Sequence, residues 1–230
     1  MNISPSTEPV ARFGRAGFAL PLDILIAPAR AFDRIAARPQ WLWAYGVVVA
    51  AALASVALIA PAIVHVATVA PQSAGVKTAD PGLLRELVAT LALQNAVLRP
   101  LLMVGLTATV LTVVARFKGK TVPATLFVSL ATACLVPWTL GSLVEATLIG
   151  LRDPRSFSNV HALIVAVPDN LGVFASPKND AELGFLAHFD VFGLWSHLLL
   201  AFGMARFAGV RLVTALATAF GLDFVFALIF

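Results

Sequence analysis

Charge is scarce in this sequence: 12% of its 230 residues are Asp, Glu, Lys or Arg and 60% are apolar, for a mean hydropathy of +0.91. That scarcity excludes intrinsic disorder, which needs charge and little hydrophobicity. It equally excludes a soluble globule, which cannot bury so large an apolar share. A single cysteine, Cys134, rules out a disulfide scaffold, and no heptad pattern is sustained long enough for a coiled coil. None of the four histidines sits in a His-Glu-x-x-His helix or beside clustered acids, so a zinc peptidase is not expected. Ser129, Ser142 and Ser196 lack the glycine-framed turn that exposes a serine nucleophile. Gly119 sits in a bare Phe-Lys-Gly-Lys turn without the spacing of a phosphate cradle. No enzyme and no cofactor are therefore expected. The net charge of +4 and pI near 9.8 come from cations scattered between apolar runs, which argues against nucleic acid.

What is present is a series of long apolar runs, and they predict an all-α polytopic membrane bundle with five transmembrane helices. The runs are residues 42–70, 100–115, 121–145, 183–205 and 212–230. The first is introduced by Trp41, Trp43 and Tyr45, an expected interfacial belt. Residues 83–98 are read as a separate or kinked helix before Pro100, a residue suited to a first helical turn. Residues 151–182 mix charge, proline and asparagine around a patch at 162–167 too short to cross, and are read as an extracytoplasmic loop. Residues 18–27 are broken by Pro21 and Asp23, so no cleaved leader is expected.

This wiring places Arg12, Arg15, Arg30, Arg34, Arg38, Arg116, Lys118, Lys120, Arg206 and Arg211 on one side. Lys77, Arg85, Arg152, Arg155 and Lys178 fall on the other, with Arg99 at an edge. The heavier side is cytoplasmic by the positive-inside rule, so the amino terminus is expected inside and the carboxyl terminus outside.

The chain divides into an amino-terminal segment, 1–40, and a membrane domain, 41–230. Within the segment, residues 28–39 predict an amphipathic helix bounded by prolines. Phe32, Ile35 and Ala36 share one face, while Arg30, Arg34 and Arg38 recur every four residues on another. Such a helix is expected to lie in the headgroup layer with its arginines near anionic lipid.

Charge in hydrocarbon costs about 2.5–3.5 kcal/mol on insertion scales, so ionisable residues inside the spans warrant a depth estimate. At about 1.5 Å per residue, Asp223 lies about 18 Å beyond Arg211, and His197 about 13–14 Å from Arg206. Both fall near the midplane, and a His197–Asp223 hydrogen bond between the fourth and fifth spans is expected. Ala215, Ala219, Asp223 and Ala227 form a stripe that should face the bundle. Arg99, Glu145 and Asp190 fall near the outer boundary as a candidate charge cluster.

Several stretches resemble a known family. Residues 25–35, Leu-Ile-Ala-Pro-Ala-Arg-Ala-Phe-Asp-Arg-Ile, followed by Arg38-Pro39-Gln40-Trp41, resemble the opening of bacterial Yip-domain (Ypt-interacting protein) membrane proteins. Residues 189–195, Phe-Asp-Val-Phe-Gly-Leu-Trp, and 201–209, Ala-Phe-Gly-Met-Ala-Arg-Phe-Ala-Gly, are similar to that family's fourth span and its turn into the fifth. Phe117 to Thr121, leading to Val136-Pro137-Trp138, is similar to the start of its third span. The resemblance covers most of the chain from about residue 20. It implies an all-helical bundle with a cytoplasmic amino terminus, in a family whose eukaryotic members bind Rab-type GTPases in membrane traffic, and it carries no catalytic residues. The short basic amino terminus and the extended 152–182 loop depart from the pattern.

The function expected is thus that of a non-enzymatic membrane protein that organises membrane or scaffolds a membrane complex. The bacterial assignment follows from the resemblance. Its expected partners are anionic lipids and other integral membrane proteins; a homo-oligomer fits as well. The alternative is a small transporter or channel component in which His197 and Asp223 handle protons or cations.

Overall fold

The computed structural model describes residues 12–73, 80–176 and 179–229. The first eleven residues of the amino-terminal segment, the expected outer cations Lys77 and Lys178, and Phe230 lie outside them. The elements in chain order are α1 Arg12–Ile26, α2 Pro28–Ala37, α3 Leu42–Ser73, α4 Pro81–Leu93, a π-helical turn Gln94–Leu98, and α5 Arg99–Phe117. There follow α6 Ala124–Gly150, α7 Val160–Ile164, α8 Asp180–Ala187, α9 Val191–Ala208 and α10 Leu212–Ile229. The protein is an all-α polytopic membrane bundle.

Leu42–Val69, Glu86–Phe117, Ala124–Gly150 and Val191–Ala208 are long and apolar enough to cross a membrane, and Leu212–Leu228 is apolar but shorter. Hydroxyls within these helices donate to the carbonyl one turn back: Ser55 to Ala51 at 2.8 Å, Thr112 to Ala108 at 2.7 Å, Thr132 to Val128 at 2.7 Å. A serine or threonine that satisfies itself in this way can sit in an apolar helix without exposing an unmet donor to lipid.

α6 is the central helix, buried over most of its length where α3 is largely outward-facing; it packs against α1, α3, α5 and α9, and α9 in turn packs on α10. The α6–α9 seam is close because each helix offers a glycine to a large side chain of the other. A Cβ on Gly141 would lie 2.4 Å from the Phe192 ring, and one on Gly203 would lie 2.3 Å from Leu130 Cδ1. Pro137 interrupts the hydrogen bonding of α6, and Ser196 Oγ on α9 accepts the Trp138 N–H at 3.1 Å. That hydroxyl supplies the acceptor a proline-broken helix needs from its neighbour.

Several boundaries differ from the sequence reading. The expected separate helix, 83–98, from Glu86 onward, and 100–115 belong to one apolar run, Glu86–Phe117, that passes through the π turn. A wider turn relieves the clash of the Pro100 ring with the preceding turn, so the helix continues past the proline. The third span begins at Ala124, after Pro123, and continues beyond Glu145 to Gly150. The expected fourth span, 183–205, is two helices, α8 and α9. Asp190 has extended backbone and accepts the Gly193 N–H on Oδ1 at 2.6 Å, which starts a new helix. Tyr45 does not simply flank the first span at an interface: its hydroxyl donates to the Val97 carbonyl at 2.7 Å, tying the start of α3 to the π turn. With Gly150 standing 3.0 Å (as a Cβ) from the Leu58 carbonyl, α3 is displaced along α6 toward the end that carries Arg99.

α2 corrects the expectation of a helix with its apolar face in lipid. Phe32 and Ile35 are buried, with Ala31, in the same core cluster as Phe127, Leu130 and Met204, and Phe32 meets Phe207 edge-on at 6.0 Å. Ala36 is exposed. Burying Phe32 and Ile35 on protein contributes roughly 1.5–3 kcal/mol each where water is the alternative. The arginines are tied to carboxylates: Arg34 Nε lies 2.6 Å and Arg30 Nη1 3.5 Å from the buried Asp23, and Arg206 of α9 bonds Asp33. Removing one member of a buried ion pair is costly because its partner loses compensation, by about 3–5 kcal/mol in full isolation. Arg34→Ala should therefore loosen α1 and α2, read as faster proteolysis before residue 41 in detergent, while Asp23→Asn with Arg34→Gln should restore much of the protection.

Residues 151–176 of the expected loop pack on the bundle. Phe157 is buried with Ala62, Val66 and Ile149, and Asn170 pairs with Asp190 in an isolated antiparallel bridge. At the opposite end, Gly209 ends α9 with φ +59°, the left-handed conformation that glycine adopts without strain. Lys120 Cε is 3.7 Å from the place of its missing Cβ, so the α5–α6 and α9–α10 turns adjoin.

Candidate functional site

Asp223 stands eleven residues into α10, about 16 Å along its axis. Ala215, Ala219 and Asp223 are all buried, so this stripe faces the bundle, while Ala227 is only half-buried. The structure brings His197 and Asp223 together: His197 Nε2 is 3.3 Å from Asp223 Oδ1. It adds a residue that the sequence reading omitted. His188, which follows α8, places its Nε2 3.0 Å from the same oxygen.

The donors and acceptors at this site constrain its protons. His197 Nδ1 is 2.6 Å from the Gly193 carbonyl, which can only accept, so Nδ1 carries hydrogen. A neutral imidazole then has no hydrogen on Nε2, and an ionised carboxylate has none to offer. The His197–Asp223 contact is a hydrogen bond only if one further proton is present, either making His197 an imidazolium or making Asp223 a carboxylic acid. Where Asp223 is ionised it can only accept, and His188 Nε2–H donates to Oδ1. The pair of His197 and Asp223 is then neutral overall, a condition that hydrocarbon favours over a lone charge.

A cavity of about 40 Å³ adjoins the three residues, walled by Met103, Cys134, Leu200 and Phe226. That volume admits a water or two, by the space a single water requires. It does not admit an organic solute. Both imidazole nitrogens point at the carboxylate oxygen itself, and among the described residues no group of three or more His, Cys, Asp or Glu is arranged to hold a metal ion.

Of the expected outer cluster, Arg99 and Glu145 line one cavity of about 350 Å³ between α3, α5 and α6. The Arg99 guanidinium carbon lies 5.6 Å from the Trp138 ring centroid, a cation–π distance. Asp190 is not on that cavity wall; it caps α9 as described. Of the interfacial set, Arg30 and Arg38 are exposed and Arg34 half-exposed, while Phe32 and Ile35 are in the core.

A family model of the Yip1 domain matches residues 22–230, from the middle of α1 to the end of α10. No curated protein and no solved structure matches the chain. The match spans the helices that carry the His188–His197–Asp223 contact, the glycine seam and the Arg99–Glu145 cavity. The chain therefore belongs to the Yip1-domain family of membrane proteins.

Proposed function

We propose that this protein is a non-enzymatic, five-span component that organises membrane or holds a membrane complex together. It sits in a bacterial inner membrane with its amino terminus cytoplasmic and its carboxyl terminus outside. The observation that carries the reading is the outward face of α3. Gly46, Ala50 and Ala54 recur every four residues, all are exposed, and a Cβ on Gly46 would meet nothing within 4 Å. Small residues at that spacing let a second helix approach closely, the main route to association where lipid tails remove the hydrophobic drive. The partner is another integral membrane protein or a second copy of this chain. Anionic lipid at the cationic α5–α6 turn, where Arg116, Lys118 and Lys120 are all exposed, is a further contact supported by charge.

In-membrane crosslinking followed by affinity purification tests this. Gly46→Ile with Ala50→Ile should lower recovery of the crosslinked partner about tenfold or more, while Leu53→Ile should leave it unchanged. Equal recovery from all three proteins would end the proposal.

A second reading is favoured by the approach of His197 Nε2 and His188 Nε2 to one oxygen of the buried Asp223, at 3.3 and 3.0 Å: that the site relays protons. The 40 Å³ cavity suits a proton or water better than a solute. Proton flux into liposomes that disappears with Asp223→Asn supports it, and flux equal to that of empty liposomes for the unaltered protein rejects it.

A further inference from the structure

We propose that the cavity between α3, α5 and α6 is a water-filled vestibule, and that the Trp138 ring is the partition between its water and the His188–His197–Asp223 site. The proposal rests on the proton-relay reading for its functional meaning, since a site that relays protons needs a water route to it. Its geometry stands apart from that reading.

The first support is the position of Trp138. Among the described residues it alone lines both the cavity of about 350 Å³ and the cavity of about 40 Å³ beside Asp223. Its side chain packs against the cluster of Met103, Leu222 and Phe226, all three of which wall the smaller cavity. Arg99, on the wall of the larger one, holds its guanidinium carbon 5.6 Å from the same ring. The indole therefore stands between the two spaces with a wall of each against it.

The second support is the order of residues along α6. Cys134, Trp138, Ser142 and Glu145 follow one another at intervals of four, four and three, which places them on one face of the helix. Cys134 lines the small cavity, Ser142 and Glu145 line the large one, and Trp138 between them lines both. One helix face thus runs from the larger space to the smaller, and the indole is the bulk that interrupts it.

The third support is the difference in polarity between the two spaces. The larger has room for several waters, and its wall carries groups that bind them. Glu145 is half-buried and makes no hydrogen bond or ion pair among the described residues. Ser142 donates its proton to the Trp138 carbonyl at 3.3 Å, which leaves its oxygen lone pairs to accept, and the Asn95 amide adds donors and an acceptor. A carboxylate, a hydroxyl and an amide around an unfilled space gain from water there. In the smaller space the Ser196 hydroxyl is already engaged, donating to the Phe192 carbonyl at 2.9 Å and accepting the Trp138 N–H at 3.1 Å. Apart from His188, His197 and Asp223, that wall is mostly apolar.

Cys134, the chain's one cysteine, lines the smaller cavity and serves as its reporter. The test is the rate at which a small cationic methanethiosulfonate, which needs a water path, modifies it in the detergent-purified full chain. Trp138→Ala keeps the backbone N–H that Ser196 accepts and should raise that rate about tenfold or more. Leu200→Ala, which trims another wall of the same cavity, should change it about twofold at most. Adding Ala52→Phe to Trp138→Ala, which fills the vestibule from its half-buried α3 wall, should return the rate toward that of the unaltered protein. A separate measurement does not need Trp138→Ala to fold: Ser142→Cys in a Cys134→Ala background should react about tenfold faster than Cys134 does in the unaltered protein. Ser142→Cys as slow as Cys134, or equal rates in Trp138→Ala and Leu200→Ala, would overturn the proposal. Fast Cys134 labelling in Trp138→Ala without proton flux above that of empty liposomes would uphold the partition and reject the relay.

Discussion

Gly141→Val should lower the stability of the detergent-solubilised protein by about 1–3 kcal/mol, the usual range for overpacking a close interface. A Cβ at this position meets Phe192 at Cδ2 and Cγ, both 2.4 Å away, and at Cβ, 2.7 Å away. The obstruction includes the root of the side chain, so a rotamer change cannot clear it. Either α9 must retreat from α6 or the Phe192 backbone must shift, and both options open the seam in which Ser196 accepts the Trp138 N–H. Thermal or denaturant unfolding monitored by circular dichroism reads the loss. Phe192→Ala alone should cost stability through its cavity, yet in the Gly141→Val background it should recover part of the loss. A coupling of this kind distinguishes a steric seam from two independent defects. Additive losses would mean that the two residues do not meet.

The second large effect concerns Asp223. Asp223→Leu should destabilise the protein by about 1–3 kcal/mol for each buried nitrogen that loses its partner, here the Nε2 atoms of His188 and His197. Asp223→Asn should be nearly neutral. An asparagine can accept the His188 Nε2–H on its carbonyl oxygen and donate an amide hydrogen to His197 Nε2, reproducing the donor pattern of a protonated aspartate. The comparison therefore tests the proton count and not only the contact. If Asn were as damaging as Leu, the site would hold an imidazolium against an ionised carboxylate; if Leu were harmless, the three side chains would contribute nothing to the α9–α10 interface. Unfolding midpoints of the three proteins at one pH decide between these.

The helical class and the position of Asp223 could be read from the sequence because both depend on local quantities. Apolar run length fixes what can cross lipid, and spacing along a helix fixes face and approximate depth. His188 was not legible for a related reason. Taking 183–205 as one helix put His188 on a rigid register with His197, whereas Asp190 starts a new helix and lets the preceding residues turn back toward α10. The signal was present in Asp190 and Gly193, an acceptor three residues ahead of a backbone donor, but the apolar residues on both sides of Asp190 concealed it. The burial of Phe32 and Ile35 was illegible in another way. Periodicity identifies the apolar face of α2, but lipid and a protein core present the same apolar surface to it. The π turn at 94–98 likewise follows from Pro100 only once the neighbouring helices show that the helix continues past the proline.

Five crossings underlie every depth assigned above, and cysteine accessibility in intact cells tests them most directly. Cys134 is the chain's one cysteine and is buried, so a Cys134→Ala background allows single cysteines to be introduced at Ser6, Lys118, Arg152, Val210 and Phe230. With a membrane-impermeant thiol reagent, Arg152→Cys and Phe230→Cys should react from outside, and Ser6→Cys, Lys118→Cys and Val210→Cys should react only after the membrane is opened. Labelling of Ser6→Cys and Phe230→Cys from the same side would contradict the account.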